Sequence, residues 1–317
     1  MKNKFWQKAH DFLEKNELVY VVAVVSGEGS APNRVGAKIL VSHDEIFGTI
    51  GGGRSEHLIV EKVKEYIAEN EQCTQIAVLE HRKDADENAS GMICNGSQTY
   101  AIVALTKEHL PHIKNIINAY TEKGVGKLSL SPHGLIFKDN DCSQERFSFI
   151  NQEDHWEYHE ILGVLDKLYI VGGGHCSISL SQLMINLGFH VTVYENRENI
   201  QTYNENIYAN EKFIVDYDNL PDIIPNSPHT YIAIMTFGHA YDQYVLEKLI
   251  GKDVKYLGMM GSQSKVKAVF ANLKEKGVKQ ELFDSVHAPI GLNIKSNTPE
   301  EIAVSIAGEI IKIRNSG

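Results

Sequence analysis

The stretch LYIVGGGHCSISLSQLMINLGFHVTVYENR, Leu168 to Arg197, decides the fold of the half of the chain that contains it. Leu168 to Val171 form a short apolar run, as expected of a parallel strand buried on both faces, and Gly172, Gly173 and Gly174 follow at once. From Ile178 apolar residues recur at helical spacing through Leu180, Leu183, Met184 and Leu187; Gly188 stops the helix, and His190 to Tyr194 read as a second strand. This is a βαβ unit. Gly172 and Gly174 supply the first two glycines of G-x-G-x-x-G, where a tight turn and a missing side chain let a diphosphate approach a helix N-terminus; Ser177 takes the third position. Glu195 ends the second strand, where an acid ordinarily accepts hydrogen bonds from a ribose, and Arg197 is placed to attract a 2′-phosphate. The competing reading is an ordinary doubly wound domain whose glycines only tighten a turn.

Downstream, Phe213 to Val215, Tyr231 to Met235 and Val254 to Leu257 are three more short strands at α/β spacing, so a parallel sheet of about five strands is expected. Ligands of such sheets bind beyond the carboxyl ends of the strands, which singles out Gly172, Gly174, His175, Glu195, Arg197, His239, Gly261 and Ser262. Gly261 and Ser262 open a helix and offer a second anion contact, while His175 and His239 are candidates to meet a phosphate, a carbonyl or a metal. The chain closes on a helix from Pro299 to Ile313, with Thr298 and Glu301 at capping-box spacing.

Upstream, Trp6 to Leu13 read as an amphipathic helix and Leu18 to Val25 as a strand, followed by a polar loop from Ser26 to Gly36. A hairpin over residues 37–49 leads to IGGGRSEHLIVEKV, in which Gly51, Gly52 and Gly53 feed a helix. This second glycine-rich helix start also offers backbone N–H groups to an anion. Gln75 to Glu80 and Thr99 to Leu105 are predicted strands; between them Cys94 lies beside asparagine and glycine in SGMICNG, a placement that suits an exposed thiolate, a soft ligand for a soft metal. Arg34 and Arg54 each sit in a glycine-rich loop and suit a phosphate or a carbonyl, and Glu56 either caps its helix or meets a donor edge of a ligand. A helix over Leu110 to Tyr120, β-structure over Leu128 to Phe137 and Phe147 to Ile150, and a connector over Asn151 to Glu160 complete this half, with a domain boundary near residue 160.

The 317 residues are enough for two cores, and 31 Lys plus Arg against 41 Asp plus Glu give a net charge of −10, which disfavours nucleic acid as a partner. No apolar run is long enough to cross a bilayer, so no membrane association and a cytoplasmic location are expected. The four cysteines, Cys73, Cys94, Cys142 and Cys176, are too dispersed for a zinc knuckle or a disulfide framework.

Several segments together resemble one family in order: SAPNRVGAKILV (Ser30 to Val41), GTIGGGRSE (Gly48 to Glu56), GMICNG (Gly91 to Gly96), VGGGH (Val171 to His175), YENR (Tyr194 to Arg197), TFGHAYD (Thr236 to Asp242), YLGMMGSQSK (Tyr256 to Lys265) and the closing APIGLNI and TPEEIAVSIAGEI. The chain resembles the XdhC/CoxI family. The resemblance implies an α/β protein with an N-terminal α+β XdhC/CoxI-like domain, connector included, over residues 1–160, and a doubly wound, parallel-sheet Rossmann-like domain over 161–317. It also implies an accessory protein of a xanthine dehydrogenase-type molybdenum hydroxylase. Such a protein binds molybdenum cofactor (molybdopterin), supports its sulfuration by a cysteine desulfurase and delivers it; a homodimer is implied too. In that role Cys94 is the metal ligand, and Arg34, Gly51 to Gly53, Arg54, Glu56 and the Rossmann residues above surround the cofactor, with NAD(P) or the nucleotide of a dinucleotide cofactor as further ligands. The alternative is an NAD(P)-dependent oxidoreductase or a nucleotide sensor, which the Rossmann unit alone would support. The cysteine pattern offers no iron–sulfur cluster, so xanthine oxidation by this chain itself is not expected.

Overall fold

The computed structural model describes residues 2–15, 18–29, 35–81, 96–122, 124–140, 146–152 and 155–316. It divides into two compact units, Met1–Gly163 and Val164–Gly317.

The first unit runs α1 (Lys2–Lys15), β1 (Val19–Gly29), β2 (Lys38–Val41), β3 (Ile46–Thr49), α2 (Gly53–Ala68), β4 (Gln75–His81), β5 (Gly96–Leu105), α3 (Leu110–Thr121), β6 (Val125–Ser131), β7 (Gly134–Asp139), β8 (Phe147–Gln152) and β9 (His155–Gly163). Two antiparallel sheets result, in the orders β3-β2-β1-β5-β4 and β7-β6-β9-β8. The valine-rich β1 is central because it is apolar on both sides. Val19, Val21 and Ala23 pack toward α1, α3 and the second sheet, whereas Tyr20, Val22 and Val24 pack toward Ile59, Val60 and Val63 of α2.

Two expectations fail here. The polar SGEG segment is not loop: β1 continues to Gly29, because its backbone pairs with β5 from Ser26↔Thr99 to Gly29↔Gly96 after a register shift. The ladder uses main-chain groups and tolerates polar side chains. The expected connector over 151–160 is largely strand, since β9 is an interior member of the second sheet, paired with both β6 and β8. Its inward face carries Trp156, Tyr158 and the carboxylate of Glu160, so a charge stands where an apolar residue would have marked the alternation.

The second unit runs β10 (Lys167–Val171), α4 (His175–Asn186), β11 (His190–Glu195), α5 (Gln201–Glu205), β12 (Glu211–Ile214), α6 (Leu220–Ile223), β13 (Ser227–Ile234), α7 (His239–Leu249), β14 (Val254–Met259), α8 (Gln263–Glu275), α9 (Gln280–Phe283), β15 (Val286–His287) and α10 (Pro299–Arg314). The described strands form a parallel sheet in the order β12-β11-β10-β13-β14-β15. Relabelled within the unit this is 3-2-1-4-5-6, the doubly wound dinucleotide-binding order. Six strands appear instead of about five; the sixth has two residues, too few to carry a pattern. Helices cover both faces, α7 and α8 on one side and α4 and α10 on the other. The closing helix has the expected capping box: Thr298 Oγ1 accepts from Glu301 N at 3.2 Å, and Thr298 N donates to the Glu301 carboxylate at 3.3 Å. Among the described residues no helix is long and apolar enough to cross a membrane.

Candidate functional site

In the second unit the strand order reverses between β10 and β13, and the segments that follow these strands are tied together there. Gly172 has φ +115°, and a Cβ added to it would lie 2.3 Å from the Met235 carbonyl oxygen and 2.9 Å from Thr236 Cα. Only glycine lets the turn after β10 pass this close to the end of β13. Gly174 differs. It is the N-cap of α4 at φ −77°, a Cβ there would meet nothing within 4 Å, and no side chain caps the helix. The space before the α4 N-terminus is therefore open, with His175 exposed on its first turn.

Glu195 is completely buried, and its carboxylate is fully engaged. Oε2 accepts from Gly173 N and Arg197 Nη2, both at 2.9 Å; Oε1 accepts from Asn196 N at 2.9 Å, Arg197 N at 3.1 Å and Arg197 Nε at 3.0 Å. Burial alone would raise its pKa, but the forked Arg197 guanidinium and the Gly173 N–H outweigh burial and hold it below the usual carboxylate range. The same pairing raises the pKa of Arg197. The guanidinium also lies 4.9 Å from the ring centre of Phe237, a residue 73% exposed. A ribose hydroxyl reaching Glu195 would have to displace one of these donors. Glu195 and Arg197, expected from their positions to meet a nucleotide separately, are paired with each other in this structure.

A second buried charge pair lies between the ends of β13 and β14. Asp242, 1% exposed, accepts at Oδ1 from Thr236 N at 2.9 Å and Thr236 Oγ1 at 2.6 Å, and it pairs through Oδ2 with Lys265, whose ammonium also reaches the Met260 carbonyl at 3.0 Å. Gly261 faces the Lys265 chain, and Ser262 caps α8 by accepting from Lys265 N at 3.2 Å, so neither the Ser262 hydroxyl nor the Lys265 ammonium is idle. His239 opens α7.

In the first unit Gly51, Gly52 and Gly53 have φ of +120°, +69° and +70°, and a Cβ on Gly52 or Gly53 would meet nothing within 4 Å. Here glycine is required by backbone conformation and not by crowding. Glu56 holds the loop. Its Oε2 accepts from Thr49 Oγ1 at 2.6 Å, Ile50 N at 2.8 Å and Gly52 N at 3.0 Å, while Gly51 N donates to Thr49 Oγ1 at 2.9 Å. Burial would raise the Glu56 pKa; the Thr49 hydroxyl and the loop N–H groups lower it by more. No side chain caps α2 at Gly52, and Arg54 is exposed in its first turn. Arg34 and Cys94 lie outside the described residues, and among the described residues no group of three or more His, Cys, Asp or Glu is placed to hold a metal ion.

Models of two domains match, one described as the XdhC and CoxI family over residues 12–78 and one as the XdhC Rossmann domain over residues 168–310. The chain belongs to the XdhC/CoxI family. It is 26% identical over 310 residues to the uncharacterized protein YqeB of Escherichia coli (strain K12), covering 96% of this chain but 45% of that protein, so the chain spans less than half the length of this relative. It is 23% identical over 332 residues to a Bacillus subtilis (strain 168) protein described as a probable xanthine dehydrogenase subunit, covering 95% of each. The fold is that of a crystal structure from Bacillus halodurans described as a xanthine dehydrogenase, with a TM-score of 0.74 at 20% identity over 99% of this chain and 96% of that one.

Proposed function

We propose that this member of the XdhC/CoxI family is an accessory protein that binds molybdenum cofactor, supports its sulfuration by a cysteine desulfurase and delivers it to a xanthine dehydrogenase-type molybdenum hydroxylase. The observation that carries the reading is the Gly51–Gly53 loop, which opens the sixteen-residue α2 with free space at Gly52 and Gly53, no side-chain cap and the exposed Arg54 guanidinium beside it. Backbone N–H groups, the helix dipole and a guanidinium are the donor set that suits the phosphate of such a cofactor. Within the second unit, the open turn at Gly174 offers the same chemistry to the diphosphate of a nucleotide, whether NAD(P) or the nucleotide of a dinucleotide cofactor.

The metal needs a softer ligand, and Cys94 is the residue assigned to it from sequence. Cys176 is a poor substitute: burial and the nearby Glu300 carboxylate raise its thiol pKa and keep it protonated. Bound molybdenum cofactor would supply the redox centre of the recipient hydroxylase. The residues of this chain would hold its phosphate, shield it from water and release it to a partner, for which a homodimer in the cytoplasm is the proposed form. A NAD(P)-dependent oxidoreductase or nucleotide sensor is the second reading, favoured by the 3-2-1-4-5-6 order of the parallel sheet.

Protein purified from cells that make the cofactor but lack the recipient enzyme is expected to carry oxidisable pterin and molybdenum. Cys94→Ala should lose most of both while its melting temperature stays within about 2 °C of wild type, the change expected of the exposed thiol that the sequence suggests. Wild-type protein free of pterin and molybdenum would sink the proposal. Tight retention of NADH or NADPH by such protein would favour the second reading.

A further inference from the structure

The first unit contains a cavity of about 340 Å³ that none of the readings above uses. Its walls are aromatic: Phe5 and Trp6 from α1, Phe47 from β3 and Tyr120 from α3. Phe5 stands edge-on to Trp6 at 5.3 Å and tilted to Phe47 at 6.3 Å, so the rings present flat and edge surfaces to one space. Cavities of this volume, mostly apolar with a few convergent polar groups, are the usual form of small-molecule sites.

Besides Lys4 and Thr49, the polar lining includes Lys38 and Glu160, whose side chains are 7% and 5% exposed and form an ion pair across 122 positions of sequence. A buried ion pair in an aromatic wall adds little net stability, because desolvation cancels most of the attraction. Its hydrogen bonds are incomplete in a particular way. Among the described residues, the hydrogen bonds that Glu160 accepts, from Lys38 Nζ and from Tyr158 Oη at 3.2 Å, both fall on Oε2, which leaves Oε1 to accept from a ligand in the cavity that Glu160 lines. The Lys38 ammonium has three N–H donors; among the described residues one goes to Glu160 and one to the Gly36 carbonyl at 2.9 Å, which leaves a third. An acceptor and a donor therefore stand side by side in an ion pair that lines an aromatic cavity.

We infer that this cavity binds a flat, bicyclic heteroaromatic ring by an edge that carries an N–H beside an acceptor, the N–H donating to Glu160 Oε1 and the acceptor receiving Lys38 Nζ. The 6-oxopurine and pterin rings, each with a ring N–H next to a carbonyl, share that edge. Thr49 links the cavity to the glycine loop: it lines the cavity, donates to Glu56 and accepts from Gly51 N. A ligand with such a ring and a phosphate tail would place its ring among the aromatics and its phosphate at α2. Assigning pterin as the ring rests on the cofactor reading above; the ring site itself does not.

Trp6, one of the chain's two tryptophans, reports on the cavity. The full chain, stripped of any carried pterin, is titrated with pterin, with hypoxanthine, and with caffeine, whose ring nitrogens offer no N–H. Saturable quenching by pterin or hypoxanthine, at least tenfold weaker with caffeine, is expected. Glu160→Gln should weaken the productive ligand about tenfold, as loss of a charge-assisted hydrogen bond does, and Phe47→Ala, which leaves the ion pair intact, should weaken it without altering the preference over caffeine. Binding of hypoxanthine but not pterin keeps the ring site and detaches it from the cofactor reading. Absence of saturable quenching by either ring, or caffeine binding as tightly as both, overturns the inference even if purified protein carries molybdenum.

Discussion

Gly51–Gly53 and Gly172–Gly174 are the same three letters, and each run opens a helix without a side-chain cap, yet the two loops are held by opposite means. In the first unit the glycines are conformational: positive φ at all three, open space at Gly52 and Gly53, and a half-buried Glu56 whose carboxylate gathers the loop's N–H groups. In the second, Gly172 is wedged against the backbone that leaves β13, at Met235 and Thr236, and the acid, Glu195, is wholly buried and closed off by Arg197. A glycine motif therefore says where the chain turns, and the surrounding contacts say whether a ligand or the fold itself needs it.

The largest effect that would test this contrast is at Gly172. Gly172→Ala combines a disfavoured φ with a Cβ placed against main-chain atoms that cannot rotate away, and it should destabilise the second unit by about 3 kcal/mol or more. Urea unfolding followed by circular dichroism measures it; a loss below about 1 kcal/mol would remove the claim that this glycine is packed.

Arg197→Ala comes next. It removes the fork that holds the Glu195 carboxylate, but the three backbone N–H donors remain, so a loss of about 2 kcal/mol is expected, short of that for an entirely uncompensated buried charge. The pH dependence is the sharper readout. Because the folded-state pKa of Glu195 is depressed, its contribution is present above the ordinary glutamate pKa and is lost as pH falls through the lower folded value. Without Arg197 burial dominates, the carboxyl protonates at higher pH, and acid unfolding should begin at a higher pH than in wild type. An unchanged acid limb would mean that the backbone donors alone hold the charge.

Gly174→Ala should have the smallest effect on stability, within about 0.5 kcal/mol, because its φ suits any residue and nothing lies within 4 Å of the added methyl. If the open turn admits a phosphate, the same substitution should weaken nucleotide retention by the second unit, measured by calorimetry with NAD. A variant that unfolds early would show that this end of the loop is packed like Gly172.

The parallel half was legible in the sequence because each strand there is a short apolar run that ends in glycine or a turn, a signal carried within a few residues. Only β15 escaped, being two residues long. In the first half β9 was missed because Glu160 faces inward, and what justifies that orientation, Lys38, lies 122 positions away. The helix starts of the candidate site were visible for the same local reason as the strands. The engagement of Glu195 by Arg197 was not, since an acid at a strand end and an arginine two residues on fit a ribose contact as well as they fit each other.

The position of β1 has a consequence for how the protein is made. Its residues 19–25 are buried on both faces, but its principal partner is β5, which ends at Leu105. At ~5–20 residues per second, a ribosome needs on the order of ten seconds to reach that partner after β1 is synthesised. During that interval the VYVVAVV segment has β2 as its strand partner and α1 and then α2 to pack on its faces, while the edge that β5 will occupy stays open to a holding chaperone or to another strand.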